Sequence, residues 1–185
     1  AAVIVLVVGS AITGVGSKSY WKVVLNRIMG DANASVTNVE NMEWHESEDI
    51  DEVGVYREIN EKLGIIPVRL QYKPVGMELN QYIIDEEQKR VVLLYLFNEE
   101  IIKYTMYLND TDSSFGQKEL DDLSNEYDID NSNFSIHVKE YDIEELSDER
   151  FIAEFEYQDV QYQLKGIMEK KEFDKILKNL FLFEK

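Results

Sequence analysis

The sequence predicts an α+β fold, a mainly antiparallel sheet of about six or seven strands packed by two or three helices, with an N-terminal apolar helix of membrane type in front. Three observations carry this expectation. First, FIAEFEYQ places Phe151, Ala153, Phe155 and Tyr157 on one strand face, and VQYQLKGIM does the same for Val160, Tyr162, Leu164 and Met168. Joined at Gln158-Asp159, the two runs read as an antiparallel hairpin. Second, the period changes after Glu169: Phe173, Ile176, Leu177 and Leu180 form a helical stripe, while Lys170, Lys171, Asp174, Lys175 and Lys178 face away. A helix over 169–181 should therefore lie across the sheet. Third, four β-rich runs follow one another between residues 65 and 108.

Taken in order, the chain begins with AAVIVLVVGSAITGVG, 16 residues without a charge, followed by Lys18, Tyr20 and Trp21, the residue types that settle at a membrane-water interface. Sixteen residues fall short of the roughly 20 that span a bilayer. The stretch is read as the outer part of a transmembrane helix, with a buried strand VIVLVV or a signal-peptide remnant as alternatives. Trp21, Val24, Leu25 and Ile28 then continue at helical spacing as an amphipathic neck. This gives three regions: 1–30 as partial span and neck, 31–48 as a polar linker, and 49–185 as an extracytoplasmic α+β domain.

Asp49 with Glu52 resembles a capping box, so a helix is expected over 49–63 with Ile50, Val53, Tyr56, Ile59 and Leu63 buried and Gly64 as its stop. IIPVRLQYKP, MELNQYII, KRVVLLYLFN and EIIKYTMYLND are strand candidates. Pro67 and Pro74 push the first toward a sheet edge. Val91–Phe97, apolar on both faces, suggests a central strand covered on both sides. Asn109–Asn133 reads as an acidic, irregular excursion with one or two helical turns around Gln117–Tyr127, after which NFSIHVKEYDI resumes as a strand.

A net charge of -18, from 37 acidic and 19 basic residues, excludes a nucleic-acid binder, because phosphate binding needs a basic face. The charge is uneven: residues 1–30 hold no acid and three bases, whereas residues 109–149 hold 14 acids against Lys118 and Lys139. The absence of cysteine excludes disulfides, thiolate metal sites and cysteine nucleophiles.

No residue pattern carries catalysis. Gly9, Gly14 and Gly16 have neither the lysine of a phosphate loop, Val15 standing in its place, nor the spacing of a dinucleotide loop. His45 and His137 are isolated, and no G-x-S-x-G elbow marks a serine nucleophile. Asp110, Asp112, Ser114 and Asp121 imitate a calcium loop, but Phe115 replaces its glycine and Asp121 its bidentate glutamate. Catalytic, metal and cofactor sites are accordingly all read as none. With 11 tyrosines and 8 phenylalanines, a groove of aromatic faces is the remaining candidate, built from Tyr72, Tyr82, Tyr95 and Tyr104 out of a strand set that includes Tyr107, Tyr157 and Tyr162.

Two stretches resemble a known family. YREINEKLGIIPVRLQYKPVGM has a helix ending Lys62-Leu63-Gly64, a proline shortly after, then Tyr-x-Pro-x-Gly-Met over Tyr72–Met77. At the far end Tyr-x-Leu-x-Gly-Ile-Met, Tyr162–Met168, runs into the last helix. Over residues 50–183 the chain resembles the Firmicutes domain-of-unknown-function family 4367. The resemblance implies a single-span protein with its domain outside the cell, an architecture like that of anti-sigma factors, and neither enzyme nor cofactor. The expected function is a membrane-anchored extracytoplasmic sensing or binding domain for a peptide, glycan or protein. A cell-surface hydrolase and a structural spacer are the alternatives.

Overall fold

The computed structural model describes residues 45–46, 50–108, 122–143 and 149–183, all of them in one compact unit. The elements are β1 (His45–Glu46), α1 (Glu52–Leu63), β2 (Val68–Leu70), β3 (Glu78–Asp85), β4 (Arg90–Phe97) and β5 (Glu100–Leu108). They continue as β6 (Asp122–Asn131), β7 (Phe134–Asp142), β8 (Glu149–Tyr157), β9 (Val160–Met168), α2 (Lys170–Lys178) and β10 (Leu180–Leu182).

Eight strands form one sheet in the order β1-β3-β4-β5-β9-β8-β7-β6, and β2 pairs with β10 in a separate two-stranded ribbon. Every pairing is antiparallel. The large sheet consists of two meanders, β3-β4-β5 and β6-β7-β8-β9, fused where β5 pairs with β9. Leu108 lies opposite Val160 and Asp122 opposite Asp142, so the link between the meanders starts and finishes at opposite ends of the sheet. No hairpin-length connection could serve there.

Both helices and the ribbon lie on one face. From α1, Tyr56 bonds Tyr95 of β4 through their hydroxyls at 3.0 Å. The ribbon lies over β5, where the Tyr104 hydroxyl donates to the Val68 carbonyl at 2.9 Å. Phe173 of α2 stacks on Phe151 of β8 with centroids 5.0 Å apart. The alternation read from the last hairpin is present as predicted: Phe151, Ala153, Phe155, Val160, Tyr162, Leu164 and Met168 are all buried. Gln158 and Asp159 join the strands with φ of 48° and 62°, the left-handed pair that a two-residue turn needs to match the strand twist. Strand β4 is buried from Arg90 to Tyr95 on both faces, as its apolar run predicts, although Leu96 emerges at 41% exposure.

Several expectations change. Helix α1 starts at Glu52, and Asp51, in the capping position before it, makes no side-chain cap. The Glu52 carboxylate accepts instead from the Tyr95 hydroxyl at 2.9 Å and pairs with Lys73, because a buried phenol needs an acceptor more than a solvated helix end does. The buried stripe is Val55, Tyr56 and Ile59, with Ile50 and Leu63 half-buried and Val53 turned out at 45% exposure. Gly64 does stop the helix, at φ 68°, with its amide bonded to the Asn60 carbonyl. Helix α2 ends at Lys178, and Leu180, still part of the buried stripe, belongs to β10, where it faces Leu70.

The region taken as an irregular insert contains β6 over Asp122–Asn131, whose apolar positions Tyr127 and Ile129 alternate with Glu126, Asp128 and Asp130. The density of acids masked that period, since solvated carboxylates need no apolar partner on the outer face. The linker read over 31–48 contributes β1, paired with β3 at His45↔Tyr82 and Glu46↔Gln81. The expected membrane helix, neck and calcium-like loop lie outside the described residues. Among the described residues no helix is long and apolar enough to cross a membrane.

Candidate functional site

A cleft of about 620 Å³ opens at the end of the sheet where three segments meet: the loop Gly64–Ile66, the end of β5 at Leu108, and the hairpin Tyr157–Val160. Its volume lies within the roughly 300–1,000 Å³ of small-ligand sites. The loop is held from behind. Asn60 donates its side-chain amide to the Ile65 carbonyl at 2.6 Å, Tyr162 its hydroxyl to the Ile66 carbonyl at 3.3 Å, and Phe183 its backbone amide to the Pro67 carbonyl at 2.9 Å. Three consecutive carbonyls are thus fixed by groups anchored elsewhere, which leaves Ile66 projecting at 39% exposure instead of collapsing inward.

Across the cleft the turn at Gln158-Asp159 holds Tyr157, whose ring packs edge-on against Phe134 at 5.6 Å. Leu108 is half-buried beside Val160. The walls therefore offer Ile66, Leu108 and Tyr157 as partly exposed apolar surface, with Gln158 and Asp159 at the rim. Among the described residues no histidine, lysine, arginine, serine or threonine lines the cleft, and Asp159 is the one carboxylate. A single rim carboxylate provides neither an acid-base pair nor an activated nucleophile.

The four tyrosines singled out from the sequence sit elsewhere, spread between sheet and helices. Tyr95 and Tyr104 are 0% exposed and Tyr82 7%, so they form core and not an open groove. Their hydroxyls are already engaged: Tyr82 donates to Glu58 at 3.1 Å, Tyr95 to Glu52, and Tyr104 to the Val68 carbonyl. Burial first, then the neighbouring Tyr56, pushes Tyr95 and Tyr104 well above the ordinary tyrosine value, so both remain neutral donors. Tyr72 is half-buried beside α2, donating to Glu172 at 2.6 Å with the Lys175 ammonium 3.9 Å over its ring. None of the four lines the cleft; Tyr104 holds the carbonyl of Val68, just beyond the loop that forms one of its walls. The lining residues Ile66, Leu108 and Tyr157 were visible only as members of strands; the available signal was their position beside Gly64 and beside a turn dipeptide.

A second constellation gathers Lys170, Glu140, Glu149, Asn125, Tyr127 and Asp174. Lys170, expected to face solvent, bonds Glu140 at 2.6 Å and lies 3.6 Å from the Tyr127 ring centroid. Tyr127 donates to Asp174 at 2.7 Å, and Asn125 reaches Glu140 at 3.3 Å. Burial raises the Glu140 carboxyl, but Lys170 and Asn125 more than offset it and hold the group below its ordinary value. Glu149 is raised, by loss of solvation and then by the Glu140 charge, with which it shares a hydrogen bond. Two carboxyls in hydrogen-bond contact stand closer than the roughly 5 Å of even the tightest glycosidase pair. This cluster is a clamp between α2 and the far end of the sheet.

The clamp predicts a pH dependence. Glu140, with its depressed value, contributes stability above its unfolded value near 4.5 and loses it as pH falls through the folded one. Glu149, with its raised value, contributes below 4.5 and loses that contribution as pH rises through its folded value. Glu149→Gln keeps a neutral donor for Glu140 and should therefore melt higher than wild type at neutral pH. Glu140→Gln, which strands Lys170, should melt lower. Melting curves between pH 4 and 8 check this, and a Glu149→Gln protein less stable than wild type at neutral pH would contradict it.

Among the described residues no group of three or more histidine, aspartate or glutamate side chains could hold a metal ion. No curated protein and no solved structure matches the chain. A family model described as a domain of unknown function (DUF4367) matches residues 67–180, from the loop after α1 through β10's first residue. With that match running through both meanders, the ribbon and α2, the chain belongs to the DUF4367 family.

Proposed function

We propose that this protein is a membrane-anchored extracytoplasmic sensing or binding domain whose cleft between Gly64–Ile66 and Tyr157–Val160 takes an uncharged segment of a peptide or glycan. The observation that carries the reading is a cleft of ligand size whose walls are held by the core and which has no catalytic pair among the described residues of its lining. Partly exposed Ile66, Leu108 and Tyr157 give a ligand apolar surface to cover, and backbone groups at the rim give it direction. The uncharged residues 1–16 with Tyr20 and Trp21 support the anchor. Reporting a bound ligand across the membrane to a cytoplasmic partner, in the manner of an anti-sigma factor, is the signalling role that follows. A hydrolase would need convergent acid, base and nucleophile, which the described residues of this cleft do not supply; a spacer would need no cleft.

Titration of the isotope-labelled protein with two probes, chitotetraose and an uncharged acetylated Leu-Tyr-Leu-Thr peptide, tests the reading. One of them should shift the amides of 64–66 and 157–160 together, and Ile66→Asp should abolish the response without changing the melting temperature. Shifts confined to other segments, or none at millimolar probe, would remove the cleft as the binding site.

A further inference from the structure

The sheet ends at β6, and among the described residues β7 is its sole partner. An edge strand turns every second amide and carbonyl outward, unpaired, and is a template for another strand. Asp122–Glu126, Asp128 and Asp130 are all exposed, and no further strand among the described residues pairs with that edge. A register shift between Leu123 and Asn125 interrupts the first part, which leaves Asn125–Asn131 as a regular run.

The side chains along this run divide by face. Tyr127, Ile129 and Asn131 turn toward the helices: Tyr127 bonds Asp174, Ile129 is buried, and Asn131 donates to the Leu177 carbonyl at 3.1 Å. Alternating with them, Glu126, Asp128 and Asp130 stand on the face turned away from α1 and α2, opposite Lys139, His137 and Ser135. His137 lies 2.9 Å from Asp128 and 3.7 Å from Glu126, whereas Lys139 turns to Glu154 at 3.2 Å. Three carboxylates two residues apart thus border an open strand edge.

We propose that β6 is a docking edge for an extended segment of a partner protein that adds as a ninth strand and carries lysine or arginine at three alternate positions, against Glu126, Asp128 and Asp130. Backbone pairing along Asn125–Asn131 supplies affinity, and the three cross-strand ion pairs set register and partner choice. A second copy of this chain is a poor occupant, because antiparallel pairing of β6 with β6 brings carboxylate against carboxylate and each molecule carries a charge of -18. The site is separate from the cleft, so it stands or falls independently of the ligand proposed there.

The test uses the 185-residue chain in detergent with two peptides of identical composition, acetyl-Thr-Lys-Val-Lys-Val-Lys-Thr-amide and an isomer with its three lysines consecutive. The alternating peptide should bind roughly tenfold or more tightly than the isomer, since only its lysines match all three carboxylates at once. It should also slow amide exchange within Asn125–Asn131. The charge-reversed protein Glu126→Lys, Asp128→Lys, Asp130→Lys, altered only at exposed positions, should lose this peptide and accept its glutamate counterpart. Equal affinity for the two lysine peptides would reduce the effect to net charge and overturn the proposal. Protection appearing on another segment, or self-association protecting β6 without peptide, would overturn it as well.

Discussion

Phe173→Ala should lower stability by about 3–5 kcal/mol, the usual cost of removing a phenyl ring from a closed core. Phe173 is 0% exposed and stacks on Phe151 at 5.0 Å, while Ile176 and Leu177 beside it are also 0% exposed. The cavity would open between α2 and β8, where the sheet and the Lys170–Glu140 clamp hold the walls apart and limit collapse. Against a total of about 5–15 kcal/mol for a domain, such a loss lowers the melting temperature by roughly ten degrees or unfolds the protein at 37 °C. Phe173→Leu, which keeps most of the volume, should cost less than about 2 kcal/mol. Urea denaturation of both variants checks the pair, and an Ala variant within about 1 kcal/mol of wild type would show that α2 is peripheral.

Gly166→Ala is the second large effect, at about 1–3 kcal/mol, and it comes from excess volume. A Cβ at this position would lie 2.3 Å from Cδ1 of Ile102 and 3.4 Å from its Cα. Ile102 is itself 0% exposed, and across β9 Gly166 faces Phe151, so the displaced atoms have no free space to enter. Ile102→Val deletes the Cδ1 in conflict. The double variant should therefore be less destabilised than the sum of the two single ones, a coupling that a double-mutant cycle measures. Strict additivity would mean that the glycine is required for some reason other than Ile102.

Gly166 also shows what the sequence could and could not tell. Its place in Tyr162–Met168 was legible as a motif, but the reason, an isoleucine from a strand about sixty residues earlier, is a tertiary fact that no local pattern records. Alternation identified the β8-β9 hairpin and the stripe of α2 because both bury one face against a continuous core. The same logic failed for β6, where the outward Glu126, Asp128 and Asp130 look like a solvated loop. It failed again at Glu52, read as a capping residue but drawn away by the buried hydroxyl of Tyr95. For the candidate site, tyrosine count pointed to an aromatic groove, yet Tyr95 and Tyr104 serve the core. The cleft depends on three segments distant in sequence meeting at one end of the sheet, with Gly64 and the turn Gln158-Asp159 as the legible traces.

The central claim is that residues 1–30 anchor the chain and the domain over 49–185 presents its cleft outside the cell. Three bases just beyond the apolar start weigh against that orientation, because positive charge prefers the cytoplasmic side unless more of it lies upstream. External protease applied to intact cells stripped of their wall decides the matter. The account predicts that antibody against the C-terminal hairpin and α2 loses its signal while a small membrane fragment containing the apolar stretch stays protected. Complete protection of the domain, or recovery of the chain in the soluble cytoplasm, would contradict it.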